Sequence, residues 1–113
     1  MKPWKCTTAD SYFSKHIRTR DPVCRRCLYA PTSDCSHFWG RGRSATRFDE
    51  KNCVGLCRPC HDLWEHKKNN EYKEFMVKWL GQVEYDALEK RARSYKNRGE
   101  AILDWMKLWK TLN

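Results

Sequence analysis

The chain has no apolar run long enough to cross a bilayer and no hydrophobic segment of the kind that opens a secretory leader. It has no internal repeat and no low-complexity linker. With 113 residues it fills one ordinary domain and leaves no room for two. These absences exclude a membrane partner and a repeat array, and they set the expectation of a soluble, cytoplasmic protein. Apolar mass is also short: 40% of residues are hydrophobic and 33% are charged. A chain this small with so thin a core commonly needs a covalent or metal staple. Disulfides alone do not supply it, because seven cysteines cannot all pair. In a reducing compartment they argue for metal instead.

Acidic charge is scarce as well, and unevenly so. The formal net charge is +9, and residues 1–68 hold 14 Lys/Arg against 7 Asp/Glu, whereas residues 69–113 hold 9 against 7. A basic surplus concentrated in one part of the chain suggests a polyanionic partner there, although a solvated basic surface gives the same count.

Hydrophobic spacing divides the single domain (1–113) into three stretches. Thr7 or Thr8 can cap a helix over 8–20 whose face carries Ala9, Tyr12, Phe13, His16 and Ile17, with Asp21-Pro22 as its stop. Over 23–69 no helical period appears until Pro59, a residue favoured in a first helical turn. That stretch suggests a tight knuckle at "CRRC", a strand at "CSHFW", a mobile basic loop at "GRGRSATR" and a second short strand around Cys53-Val54. The part from 70 to 113 predicts three helices: Tyr72 to Leu80 ended by Gly81, a second carrying Tyr85, Leu88, Ala92 and Tyr95, and a third carrying Ile102, Trp105, Met106 and Trp109. Their aromatic stripes suit packing faces better than base-stacking platforms, and they permit a homodimer.

Cys24-x-x-Cys27 and Cys57-x-x-Cys60 are separated by 29 residues. Two residues between cysteines let both thiolates reach one ion from one turn, and two such pairs complete a tetrahedral zinc site. A redox CxxC would stand alone in a βαβ setting, which is absent. Four thiolates and Zn²⁺ lower the formal charge from +9 to +7. A four-cysteine site is closed to substrate, so it is structural. Cys6, Cys35 and Cys53 are left over, and small buried hydrophobes are the default for Cys6 and Cys53.

His37, Asn52 and His61 stand with 14 and then 8 residues between them, inside the two knuckles. Taken singly, His37 is an ordinary strand histidine and Asn52 an ordinary turn asparagine. Together with the paired CxxC, this pattern resembles the HNH nuclease family. The stretches "ADSYFSKHIRTRD", "CSHFWGRGRSATRFDEKN", "LCRPCH" and "WLGQVEYDALEKRA" resemble more particularly the phage NinG (Rap) recombination proteins, over about Ala9 to Ala92. The resemblance implies a small α+β fold: a ββα-metal core stapled by the zinc knuckle, with an N-terminal helix and C-terminal helices. It implies His37 as general base, Asn52 as a brace that orients it, and His61 as a ligand of a catalytic Mg²⁺ or Mn²⁺. It also implies a metal-dependent DNA endonuclease acting on branched or partly single-stranded recombination intermediates in a phage or prophage. A nicking partner of a phage terminase is a second enzymatic reading, and a zinc-knuckle DNA-binding protein without cleavage is a third.

Helix geometry bears on the remaining ligand. At about 100° per residue, Glu65 lies near His61 around a helix, whereas His66 lies far around it and needs a distorted helix to share an ion. Glu65 is therefore preferred as the second ligand, with a solvated helix glutamate as the plain alternative. Many HNH enzymes place Asp or His directly before the base; here that residue is Ser36, and strand alternation puts it on the face opposite Cys35 and His37. Cys35 or Asp34 can contribute instead, though a thiolate suits Mg²⁺ poorly. Arg41, Arg43, Arg47 and Lys51 surround the site in sequence and are expected to grip phosphates.

Overall fold

In the computed structural model, which describes residues 7–112, the first helix (α1, Thr8–Arg20) begins in a capping box. The Thr7 hydroxyl accepts from the Asp10 amide at 3.3 Å, and the Asp10 carboxylate accepts from the Thr7 amide at 2.7 Å. Ala9, Phe13 and Ile17 form its buried stripe. Tyr12 and His16 lie at the edge, Tyr12 stacked on Trp109 at 5.1 Å and His16 3.2 Å from the Glu50 carboxylate. Asp21 ends the helix and serves a second purpose: its carboxylate accepts the Gly55 amide at 2.9 Å and the Arg20 guanidinium at 2.8 Å. Gly55 has no alternative there, since a Cβ would come within 2.8 Å of Asp21 Cβ and of Thr32 Cγ2.

The knuckle follows. Val23 and Pro31 form an isolated antiparallel bridge, and Leu28 turns the chain with φ of 58°, a left-handed conformation unusual for leucine. Strands β1 (Asp34–His37) and β2 (Cys53–Leu56) then pair antiparallel, with His37 opposite Cys53 and Ser36 opposite Val54. A helix (α2, Arg58–His66) starts directly after β2, with Pro59 in its first turn. Helices α3 (Asn69–Leu80), α4 (Gln82–Ala92) and α5 (Arg98–Leu112) complete the chain, and Gly81, at φ of 83°, makes the sharp joint between α3 and α4. Cys6 lies outside the described residues.

The described residues thus form a small α+β structure of five α-helices around a two-stranded sheet. The hairpin is covered on both sides, which is why all four residues of β2 are buried. One cluster joins Val54 and Leu56 to Trp64, Tyr72, Met76, Tyr85 and Leu88. The other joins Cys35 and Cys53 to Ala9, Phe13, Ile17 and Trp105. The aromatic stripes are packing faces: Trp64 stacks on Tyr72 at 4.5 Å, and Trp105 meets Phe13 edge-on at 5.0 Å.

Two expectations are corrected. The second C-terminal helix stops at Ala92, and Tyr95 is exposed beyond it. The Ser94 hydroxyl donates to the Arg91 carbonyl at 2.6 Å, and the Asn97 side-chain oxygen restarts the chain by accepting from the Gly99 amide at 2.8 Å. The basic loop is not loose either. Successive turns tie Arg43 N to Gly40 O at 3.0 Å and Thr46 N to Arg43 O at 3.1 Å, and the loop closes through Thr46 and Arg47, both buried.

Candidate functional site

Two groups of side chains flank α2. The first is the four-cysteine cluster. Cys24 and Cys27 come from the knuckle, Cys57 caps α2 and Cys60 sits in its first turn. The four sulfurs all lie within 4.8 Å of one another, and Cys27 and Cys57 are 4.0 Å apart. Sulfurs around a tetrahedral ion at zinc–sulfur bond length stand about 3.8 Å apart. The cluster is therefore dimensioned for a metal ion, and its softness suits zinc. Outer donors support it: the Ala30 amide points at Cys27 Sγ at 3.4 Å and the Arg26 guanidinium at Cys60 Sγ at 3.5 Å. The Ala30 and Tyr29 amides pull the Cys27 thiol down to about 6, while burial pushes the Cys57 thiol up to about 12. A bound cation overrides such differences by deprotonating every ligand.

The second group lines a cleft of about 210 Å³ formed by Cys35, His37, Gly40, Arg41, His61 and Glu65. His37 ends β1, and its Nε2 lies 2.9 Å from the Arg47 carbonyl. A carbonyl only accepts, so Nε2 carries the proton and Nδ1 keeps the lone pair. Burial, with the Arg41 charge beside it, lowers the His37 pKa to about 4. The ring is neutral at pH 7, as a proton acceptor must be.

Asn52 is fully buried and ties the loop that carries this carbonyl. Its Oδ1 accepts from the Trp39 amide at 2.8 Å, and its Nδ2 donates to the carbonyls of Trp39 at 2.9 Å and Thr46 at 3.0 Å. Asn52 thus acts on His37 through the loop rather than by touching the ring.

His61 projects from the second turn of α2. Its Nδ1 lies 2.8 Å from Asp34 Oδ2, and its Nε2 lies 3.3 Å from Glu65 Oε2. Asp34 also receives Arg58 at 2.9 Å. Burial opposes ionisation of Asp34, but the bonds from His61, Ser33 and Arg58 outweigh it and hold its carboxyl below the usual range. With Nδ1 directed to a carboxylate, Nε2 is the nitrogen left to face the cleft, an arrangement common behind metal-binding histidines. Adjacent ligands of an octahedral Mg²⁺ stand about 3.0 Å apart, so the His61 and Glu65 atoms have the right spacing to share one. His66 is exposed and lies outside the cleft lining. Ser36 is turned away: its hydroxyl lies 2.8 Å from the Tyr72 hydroxyl in the interior.

The four basic residues do not act as one group. Arg41 lines the cleft. Arg43 lies over the Trp39 ring at 5.1 Å and reaches the Ala92 carbonyl at 3.2 Å. Lys51 pairs with Glu84 at 2.6 Å on the surface. Arg47, expected on phosphate, is instead 1% exposed with its guanidinium on the buried Asp10 carboxylate, Nε to Oδ1 at 2.9 Å. An arginine held there cannot reach a backbone outside.

Sequence reasoning named Asp34 only as a spare ligand and missed its hold on His61. Cys53 is the small buried core residue expected of it, and it also stands with Cys35 and His37 so that one ligand atom of each lies within 4.8 Å of the others. No protein-family model, curated protein or solved structure matches this chain.

Proposed function

We propose that the protein is a metal-dependent DNA endonuclease of the HNH type, with zinc in the four-cysteine cluster as its staple. One observation carries the reading: a single cleft collects a neutral histidine with a free Nδ1 lone pair, a histidine–glutamate pair spaced for a divalent cation, and an arginine. The order β1, β2, α2 supplies these groups as a ββα-metal core would. In this reading Nδ1 of His37 takes the proton of the attacking water, and the Arg47 carbonyl fixes the ring by accepting from Nε2. His61 and Glu65 would hold Mg²⁺ or Mn²⁺, with Asp34 keeping His61 in the tautomer that leaves Nε2 free to ligate. When bound, that cation supplies positive charge to the phosphate and to the leaving 3′-oxygen. Arg41 meets a neighbouring phosphate. The substrate class, branched or recombination-intermediate DNA of a phage or prophage, follows from the NinG resemblance.

A second reading, DNA binding without cleavage, is favoured by one fact: Ser36 replaces the acidic residue before the base and faces Tyr72 rather than the cleft. Incubation of supercoiled and branched DNA with Mg²⁺ or Mn²⁺ separates the two. Cleavage by the native protein and its loss in His37→Ala supports the nuclease; native-rate cleavage by His37→Ala overturns His37 as the base, and retained binding with no cutting by either supports the alternative.

A further inference from the structure

Two cysteines beside His37 play no part in the proposed hydrolysis. His37 and Cys53 are directly opposite in the sheet register, and Cys35 is two residues before His37 on the same strand face. Their two sulfurs and one ring nitrogen lie within 4.8 Å of one another. Cys53 is fully buried and Cys35 nearly so, while His37 and Cys35 border the cleft. An ion entering from the cleft would meet three ligands behind it and keep its fourth position toward solvent.

We propose that Cys35, His37 and Cys53 form a second, thiophilic metal site, and that a soft divalent ion such as Zn²⁺ bound there silences His37. The silencing rests on the nuclease reading; the binding does not. Ligand chemistry separates this site from its neighbour 61/65. Two thiolates and an imidazole select zinc, cadmium or cobalt, whereas an imidazole and a carboxylate open to water suit Mg²⁺ or Mn²⁺. Charge also favours a dication: two thiols lose their protons on binding, and two thiolates with one M²⁺ sum to zero. The apolar wall of Phe13, Ile17 and Trp105 therefore encloses no net charge. The ring is already held as metal-binding histidines are, with its other nitrogen on a carbonyl. Because Nε2 is occupied, the Nδ1 lone pair is the one available, and it cannot serve an ion and a water proton at once.

The test uses the full chain in a Cys6→Ser background, loaded with one zinc per chain. Co²⁺ is titrated in and read by its thiolate charge-transfer and tetrahedral d–d absorption. The native cluster should take up one further equivalent. Cys35→Ala and Cys53→Ala should lose it while keeping the first zinc, and His37→Ala should weaken it by about tenfold or more. In parallel, DNA cleavage in excess Mg²⁺ is measured with and without low Zn²⁺. The ratio of the two rates should collapse for the native protein and approach one for Cys53→Ala. Absence of a second cobalt, or its persistence in both cysteine variants, overturns the site. Cobalt binding as expected in a protein whose cleavage ignores zinc overturns the silencing. If no protein cuts DNA at all, the cobalt titration still decides the site, and it is the nuclease reading that has failed.

Discussion

Arg47 shows how a single residue can be misassigned by its neighbours. In sequence it belongs with Arg41 and Arg43, yet its partner Asp10 lies 37 positions away, in a helix cap. Nothing in local spacing reveals such a pair, because both residues have ordinary surface roles where they stand. Breaking a buried pair leaves a charge without compensation, so Arg47→Ala should cost about 3–5 kcal/mol in denaturant unfolding. Replacing both residues by apolar ones should cost much less. The pair also sets an acid limit. Burial opposes ionisation of Asp10, but Arg47 and Thr7 outweigh it and hold its carboxyl below the usual carboxylate range. A carboxyl depressed in the folded state stabilises above its unfolded pKa, and that contribution is lost as pH falls through the folded one. Native protein should therefore lose stability below about pH 4 more steeply than the Arg47→Met, Asp10→Leu double variant measured in parallel. The HNH resemblance implies Asn52 as a brace for His37. Its three buried bonds, however, make Asn52→Ala more than a mild orientation defect. Leaving those backbone groups unpaired should cost about 1–3 kcal/mol, visible as a lower melting temperature, and should slow cleavage.

At the scale of elements, most of the fold was legible. The cap and stop of α1, both strands, the start of α2 and the end of α3 all follow from local chemistry: a threonine before an apolar stripe, alternation in "CSHFW", Pro59 and Gly81. The path of the basic loop was not legible, because its closure depends on Asn52 and Arg47 meeting residues from elsewhere. Helix α2 then ties scaffold to chemistry. Cys60 and His61 are adjacent, one facing the four-cysteine cluster and the other the cleft. Cys57→Ser should accordingly lose zinc, melting temperature, DNA binding and cleavage together. His61→Ala should keep the zinc and the fold while losing cleavage, with partial recovery at high Mn²⁺. Zinc content, melting and cleavage rate measured on both variants check this division. If His61→Ala also lost its zinc, the two sides of α2 would not be separable.

At the scale of the whole molecule, the proposed zinc, the proposed catalytic cation and the basic surface give one testable behaviour. Zinc in four thiolates should survive dialysis against mild chelator, at about one per chain. An ion held by His61 and Glu65 alone should not, so dialysed protein should stay folded and bind DNA yet cut only after Mg²⁺ or Mn²⁺ is restored. Binding itself should follow the net positive charge, +9 from the sequence and +7 with zinc in the four thiolates. With Arg41 at the cleft and Arg43 over Trp39, Arg41→Ala with Arg43→Ala should reduce the log–log salt slope by roughly one to two. An unchanged slope would place the DNA on another face.

The contact between α1 and α5 carries a consequence for how the protein is made. Trp105 Nε1 donates to the Ala9 carbonyl at 3.0 Å, across 96 positions of chain, and its ring closes against Phe13, which stands 5.9 Å from His37. During synthesis the hairpin, the knuckle and α2 can therefore assemble while the wall behind His37 is still missing. That wall is completed only after residue 105 has left the ribosome, so a contact between distant ends of the chain closes the surroundings of His37 last.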